Sequence, residues 1–266
     1  MKKVTSLFLV LICCLSMSLP AFAAEPESNV RILTYDELQD LPKNGNGVVP
    51  DGCTALGAEE SALFWASMTP GNEEVTDIGA EADTTASTYD VRPLACATRV
   101  VAWPLALDID AGQLFINENI YRAITFQSYD QFSSLMLTNA QTISLMNSMM
   151  TYLNNIVDTQ GGSYALVGWY VGAAFYFQAP SPKSVTIAPS SIPKAPCYAF
   201  EKDDFNFSGA GTSTSGLAKA AFGYPEGKDP LKDVCNFDLN GTFSYRDNGR
   251  DFDRPFSGGL MVNKPN

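Results

Sequence analysis

The chain runs to 266 residues, with 17 lysines and arginines against 29 aspartates and glutamates, a net charge of −12, and no histidine. Such a surface repels phosphate backbones and anionic lipid heads, which excludes nucleic acid as a partner and disfavours a membrane surface. The missing histidine removes Ser-His-Asp and Cys-His mechanisms, histidine-ligated metals and histidine proton shuttles, so any catalysis falls to carboxylates, lysine, tyrosine or an activated serine. No cofactor fingerprint is present and none is expected.

Residues 1–23 read as a cleavable secretory signal: Lys2 and Lys3, an apolar run from Leu7 to Leu15, and Ala21-Phe22-Ala23 as a small-x-small cleavage site. The apolar run is too short for a spanning helix, which needs roughly 20 residues. The short basic region favours a bacterial periplasmic or extracellular destination. Loss of both lysines takes the exported chain to a net charge near −14. Cys53, Cys96, Cys197 and Cys235 remain, an even count that favours two disulfides outside the cytosol. Cys53–Cys96 with Cys197–Cys235 is the preferred pairing, each closing a loop of about 40 residues and stabilising by roughly 4 kcal/mol at most.

Thr34 with Glu37 forms a capping-box pattern that opens a helix from Tyr35 to Leu41, stopped by Pro42. A glycine-rich loop follows to Gly52, and Ala58 to Met68 repeats with helical spacing until Pro70-Gly71. Asn72 to Tyr89 is polar and reads as an exposed excursion. Thr98 to Ile109, interrupted at Pro104, then Gln113 to Asn117 and Tyr121 to Gln127 read as strands, with an edge or bulge at Pro104.

A long helix is expected from Ser128 or Asp130 to about Val157. Its apolar seam runs through Phe132, Met136, Asn139, Ile143, Met146, Met150, Leu153 and Val157. The opposite side, including Gln141, Ser144, Asn147, Ser148 and Thr151, has no charge between Asp130 and Asp158, which suggests that it too is covered. Self-association through residues 131–157 is one way to cover it. Tyr164 to Phe177 is apolar in both alternating sets and predicts a strand buried on both faces, bent or bulged at its glycines. Its Gly168-x-x-x-Gly172 would be a dimerisation face only in a membrane helix.

Ala179 to Pro196 reads as a linker with an edge strand at Val185-Thr186-Ile187. Beyond it, strands are expected at Tyr198 to Phe200 and Asp204 to Phe207, a weak helix at Leu217 to Phe222, and a hairpin of Thr242 to Arg246 with Arg250 to Arg254 around Asp247-Asn248-Gly249. The division is a signal over 1–23, a main part over 24–196 and a β-rich part over 197–266 packed on it. The expected class is α+β, with mostly antiparallel short strands around one long central helix, stapled by disulfides.

Three constellations could carry function. Ser191-x-x-Lys194 matches a serine-lysine motif but lies among prolines, which denies it the helix it needs. The acid pairs Asp108/Asp110, Asp203/Asp204 and Asp251/Asp253 could serve a carboxylate-dependent glycan hydrolase if two faced each other about 5–10 Å apart. Asp108 with Asp110, and Asp238 with Asn240, also offer oxygen ligands for calcium in turns. Trp103, Trp169 and Tyr170 could stack against sugars. The balance favours a non-catalytic exported protein that binds or assembles, with a protein or neutral glycan as partner. A glycan hydrolase and a membrane-interacting oligomer are the alternatives.

Overall fold

Two long apolar strands organise the molecule. The computed structural model describes residues 29–43, 45–68, 95–126, 135–179, 181–189, 197–200, 213–224 and 226–265. The expected signal, the excursion at 72–89, the serine-lysine motif and Asp203/Asp204 lie outside them. Strand β3 (Ala95–Asp108) and strand β7 (Tyr164–Gln178) pair antiparallel along most of their length. Every residue of β7 from Tyr164 to Ala174 is buried, as its doubly apolar pattern predicts.

Around this pair forms an eight-stranded sheet in the order β2 (Cys53–Ala55), β4 (Gln113–Asn117), β3, β7, β10 (Ser213–Gly223), β9 (Cys197–Phe200). Strand β5 (Arg122–Phe126) extends the outer flank of β3 beyond β4, and β1 (Arg31–Ile32) runs parallel to β7. Pro104 falls between the stretch of β3 paired with β5 (98–102) and the stretch paired with β4 (106–108). Among the described residues no partner strand on that flank asks for its missing N–H. A second sheet has the order β6 (Leu135–Thr138), β12 (Arg250–Lys264), β11 (Cys235–Asp247), β8 (Pro182–Pro189). The β11–β12 hairpin turns where expected, with Asn248 and Gly249 both at positive φ as a two-residue primed turn requires. Strands on both sides of residue 196 contribute to each sheet: β10 pairs β7, and β11 pairs β8.

Helices α1 (Tyr35–Gln39) and α2 (Ala58–Ser67) bury Leu38, Phe64, Trp65 and Met68 against one face of the large sheet, with Leu105, Leu107, Ala165 and Val167. Glu37 accepts hydrogen bonds from the Thr34 N–H (2.9 Å) and hydroxyl (3.0 Å), so the capping box forms at the start of α1; the helix ends at Gln39, two residues short of the expected Leu41. The other face packs on helix α3 (Asn139–Gln160) and the small sheet through Trp169, Val171, Leu145, Met146, Met149, Leu153, Phe243 and Val262. The class is α+β. The large sheet, rather than the helix, has core on both of its faces.

Several expectations need correction. Helix α3 starts at Asn139, about ten residues later than the heptad-like spacing suggests. Leu135 and Leu137 are buried while Met136 between them is exposed, the period of a strand, and Thr138 caps the helix. Gln141 closes that cap, its side chain accepting from the Thr138 N–H at 3.0 Å and its own N–H donating to the Thr138 hydroxyl. Met146 and Leu153 of the expected seam are buried, as is Met149 beside it, but the stripe is rotated toward Thr142 and Leu145, which are buried, and away from Ile143, which is 40% exposed. The Ala-rich segment Leu217 to Phe222 is strand, because long pairing with β7 outweighs its helical propensity.

The expected disulfides are not formed: Cys53 and Cys235 carry free thiols. Register explains the first. Cys53 lies opposite Asn117 at the end of β4, and β4 meets β3 only from Ala106 onward. Cys96 sits ten residues earlier on β3, about 30 Å along the strand at ~3.3 Å per residue, where a disulfide needs Cα atoms within about 7 Å. Cys235 is buried on β11 of the small sheet while Cys197 belongs to β9 of the large one, paired with Ala220. The side chains of Cys96 and Cys197 lie outside the described residues. Cys53 should therefore be alkylated without prior reduction. Burial pushes its thiol above the ordinary value, so the rate should still be climbing above pH 9. Mass mapping that finds Cys53 blocked until reduction would restore the disulfide reading.

Candidate functional site

The sheet register sorts the three aromatic candidates. Along an antiparallel strand neighbouring side chains point to opposite faces, so Trp169 and Tyr170 of β7 part company. Trp169 enters the core beneath α3, fully buried, with its indole N–H donating to the Tyr224 hydroxyl at 2.7 Å. Burial pushes the Tyr224 hydroxyl far up, so it stays protonated. Trp169 is thereby a core residue with a satisfied polar atom.

Tyr170 points to the α2 side, directly opposite Trp103 of β3. Their rings lie 5.8 Å apart and are tilted by 46°. Tyr121, just before β5, brings a third ring 6.2 Å from Trp103 and is 43% exposed. Neither Tyr121 nor its neighbour in this group, Glu60, was singled out by local pattern, since only the pairing of β5 with β3 and the seat of α2 on the sheet bring them here. Glu60 accepts from the Tyr170 hydroxyl at 2.8 Å with one carboxylate oxygen and from the Gly57 N–H at 3.0 Å with the other. It both closes the first turn of α2 and orients the tyrosine. The indole N–H of Trp103 is shielded from solvent and finds no acceptor among the described residues. A buried donor left without a partner costs about 1–3 kcal/mol.

The acid candidates are separated and otherwise engaged. Asp108 and Asp110 sit at the β3–β4 turn, where one Asp108 oxygen accepts from the N–H groups of Asp110 (3.0 Å) and Ala111 (3.1 Å). Asp251 and Asp253 share a face of the hairpin in the other sheet. Asp251 is bridged to Arg246 and Lys183, both at 2.7 Å, and Asp253 accepts from the Ser244 hydroxyl at 2.6 Å. Hydrogen bonds from Arg246 and Lys183 hold the Asp251 carboxyl down at about 2, so it is an anion at any ordinary pH. Asp238 and Asn240 are not in a turn: both fall inside β11, opposite Gly259 and Ser257. Among the described residues no three metal-ligating side chains converge.

An open groove of about 490 Å³ lies between the start of α1 and the turn at Gly227 to Leu231, lined by Ile32, Thr34, Tyr35 and Lys228 among others. It shares no residue with the aromatic group. No described helix is long and apolar enough to cross a membrane, which leaves membrane crossing by strands untouched. Gly168 and Gly172 lie in a β-strand. No protein-family model matches the chain, and comparison with curated proteins and with solved structures gives no match either.

Proposed function

We propose that this chain is an exported, non-catalytic binding protein that takes a neutral glycan against the exposed ring of Tyr121 and the half-buried ring of Trp103, with the buried Tyr170 behind them. The observation that carries the reading is the half-buried Trp103 ring, set between Tyr170 and the exposed ring of Tyr121, with an N–H that lacks an acceptor among the described residues. A sugar offers what such a patch can use: an apolar C–H face to lie against the rings and hydroxyls that both donate and accept. The acidic balance of the chain favours an uncharged ligand over an anionic one. The non-catalytic part is supported by the engagement of Asp108 and Asp251 in turn and ion-pair contacts, and by the engagement of Glu60, the carboxylate that the described contacts bring to the patch, with Tyr170 and Gly57. Glycoside hydrolysis generally employs two. Export rests on the residues of the N-terminal segment.

The test is a titration of the full chain, followed by tryptophan fluorescence and affinity electrophoresis, against neutral polysaccharides and their oligosaccharides. Binding should weaken at least tenfold in Trp103→Ala, which corresponds to about 1.4 kcal/mol. It should weaken by a smaller factor in Trp103→Phe, which keeps the stacking face and loses the N–H. Equal affinity in the wild type and Trp103→Ala, or release of new reducing ends from a bound glycan, would sink the proposal.

A further inference from the structure

We propose that Met136 is the residue at which a peroxide oxidises this chain, and that Lys264 receives the sulfoxide so formed. The methionines differ first in access. Met146 and Met149 have no exposed surface and Met68 has almost none, while Met150 and Met261 are half-buried. Met136 is 44% exposed. A thioether meets an oxidant in solution only where its sulfur can be reached, so access ranks Met136 first among the described residues.

Its partner is placed by an irregularity in the small sheet. Strand β6 runs parallel to β12, with Met136 beside Met261 and Thr138 beside Lys264. Two steps along β6 therefore match three along β12, which is the count of a bulge, and the backbone turns there at Asn263, whose φ is 59°. In a regular strand, residues three apart face opposite sides. The extra residue returns Lys264 to the side of Met261, and its ammonium donates to the Met136 sulfur at 3.2 Å. Asn263 is buried and held in place by its own contacts. Its N–H donates to the Thr142 hydroxyl at 3.4 Å, and its side-chain amide donates to the carbonyls of Pro230 (3.1 Å) and Asp233 (2.9 Å). The bulge is thereby fixed, and Lys264 starts from a defined position.

Oxidation changes the strength of this contact. A thioether sulfur is a weak acceptor. In the reaction its lone pair attacks one peroxide oxygen, and the S–O bond forms as the O–O bond breaks. The departing oxygen takes the proton left on the transferred one and leaves as water, or as an alcohol from an organic peroxide. Sulfur is oxidised by two electrons and the peroxide is reduced by two. The product has a polar S–O bond whose oxygen is a far better acceptor for an ammonium. A buried methionine that gains this oxygen loses its packing, whereas at Met136 the oxygen forms in water and beside a donor. Oxidation is therefore tolerated here, and it strengthens the tie between β6 and the end of β12. The site belongs to the small sheet and shares no residue with the aromatic patch, so it stands apart from the glycan reading.

Limiting hydrogen peroxide on the full chain, with peptide mapping of each methionine, tests the assignment. Met136 should take up oxygen first, faster than Met146 and Met149 by about tenfold or more, as exposure dictates. Met136→Leu should remove that fast step and leave the others unchanged. Chain oxidised at Met136 is then melted beside its reduced form. Oxidation should raise the melting temperature of the wild type by about 1–2 °C relative to its effect in Lys264→Ala, the size of one exposed charge-assisted contact in a chain of this length. Lys264→Gln, which keeps a donor without the charge, should fall between the two. Oxidation of Met150 or Met261 ahead of Met136, or an equal shift in the wild type and Lys264→Ala, would overturn the proposal.

Discussion

Replacing Met146 with aspartate is expected to abolish folding. Met146 has no exposed surface and sits on the buried side of α3, within the core shared by the large and small sheets. Two penalties add there. Truncating a buried methionine costs about 2–5 kcal/mol through lost transfer energy and the cavity left behind. An unpaired carboxyl costs several kcal/mol more, whether it stays charged or takes up a proton and remains without partners. Their sum meets or exceeds the roughly 5–15 kcal/mol that holds a domain together. Circular dichroism and thermal melting should show loss of the cooperative transition. Met146→Leu, which nearly conserves volume, should cost under about 1.5 kcal/mol. Asn147→Asp, one residue along on the exposed side, should change stability by no more than about 0.5 kcal/mol. A cooperative Met146→Asp within 2 kcal/mol of the parent would mean that this side of α3 is not core.

What was legible in the sequence is what local chemistry decides. The Thr34/Glu37 cap, the Asn248-Gly249 turn and the doubly apolar β7 each depend on residues a few positions apart, and each forms as read. The start of α3 was misread for an instructive reason. Phe132, Met136 and Asn139 continue the four-and-three spacing backward, but the same segment holds Leu135 and Leu137 at spacing two, and long-range pairing with β12 decides between the periods. Leu217 to Phe222 repeats the lesson: alanines suit a helix in isolation, yet Ala218, Ala220 and Ala221 pair in register with Ala173, Val171 and Tyr170 on β7.

The site was legible as residue types and illegible as a grouping. Trp103, Trp169 and Tyr170 are equivalent as letters. The β3–β7 register alone puts Trp103 against Tyr170 and sends Trp169 to the opposite core. Alternation along β7 already puts Trp169 and Tyr170 in opposite sets, and the two cores receive them so. No comparable signal points to Tyr121 or Glu60, which arrive through tertiary packing. Proximity of acids in sequence likewise says nothing about their partners. Asp251 is claimed by Lys183, 68 positions away, across a strand whose pairing a local pattern does not reveal.

Substituting alanine for Gly168 should destabilise the fold by about 3 kcal/mol or more, beyond the usual cost of one extra methyl in a packed core. The reason is backbone contact. Gly168 lies opposite Leu105 on β3 and Gly223 on β10, so three strands meet at this residue, and the β3–β7 register shifts at the next pair. A Cβ placed there would come within 2.0 Å of the Phe222 carbonyl oxygen and 2.8 Å of the Gly223 Cα. A side chain in the way could rotate, but a strand hydrogen-bonded on its neighbour cannot move without breaking part of its ladder. The effect should also reach the site, because Tyr170 is two residues along β7 and Trp169 between them packs on Phe222's side of the sheet. Gly57→Ala supplies the contrast: its Cβ would meet only the Glu60 carboxylate at 3.5 Å, an ordinary contact. That change should cost no more than about 1 kcal/mol, from a poorer residue ahead of α2. In a chain of this size each kcal/mol moves the melting temperature by roughly 2–4 °C, so Gly168→Ala should melt at least about 6 °C lower and Gly57→Ala no more than about 4 °C lower. Equal melting temperatures for the two variants would show that β7 and β10 do not approach as closely as this geometry requires.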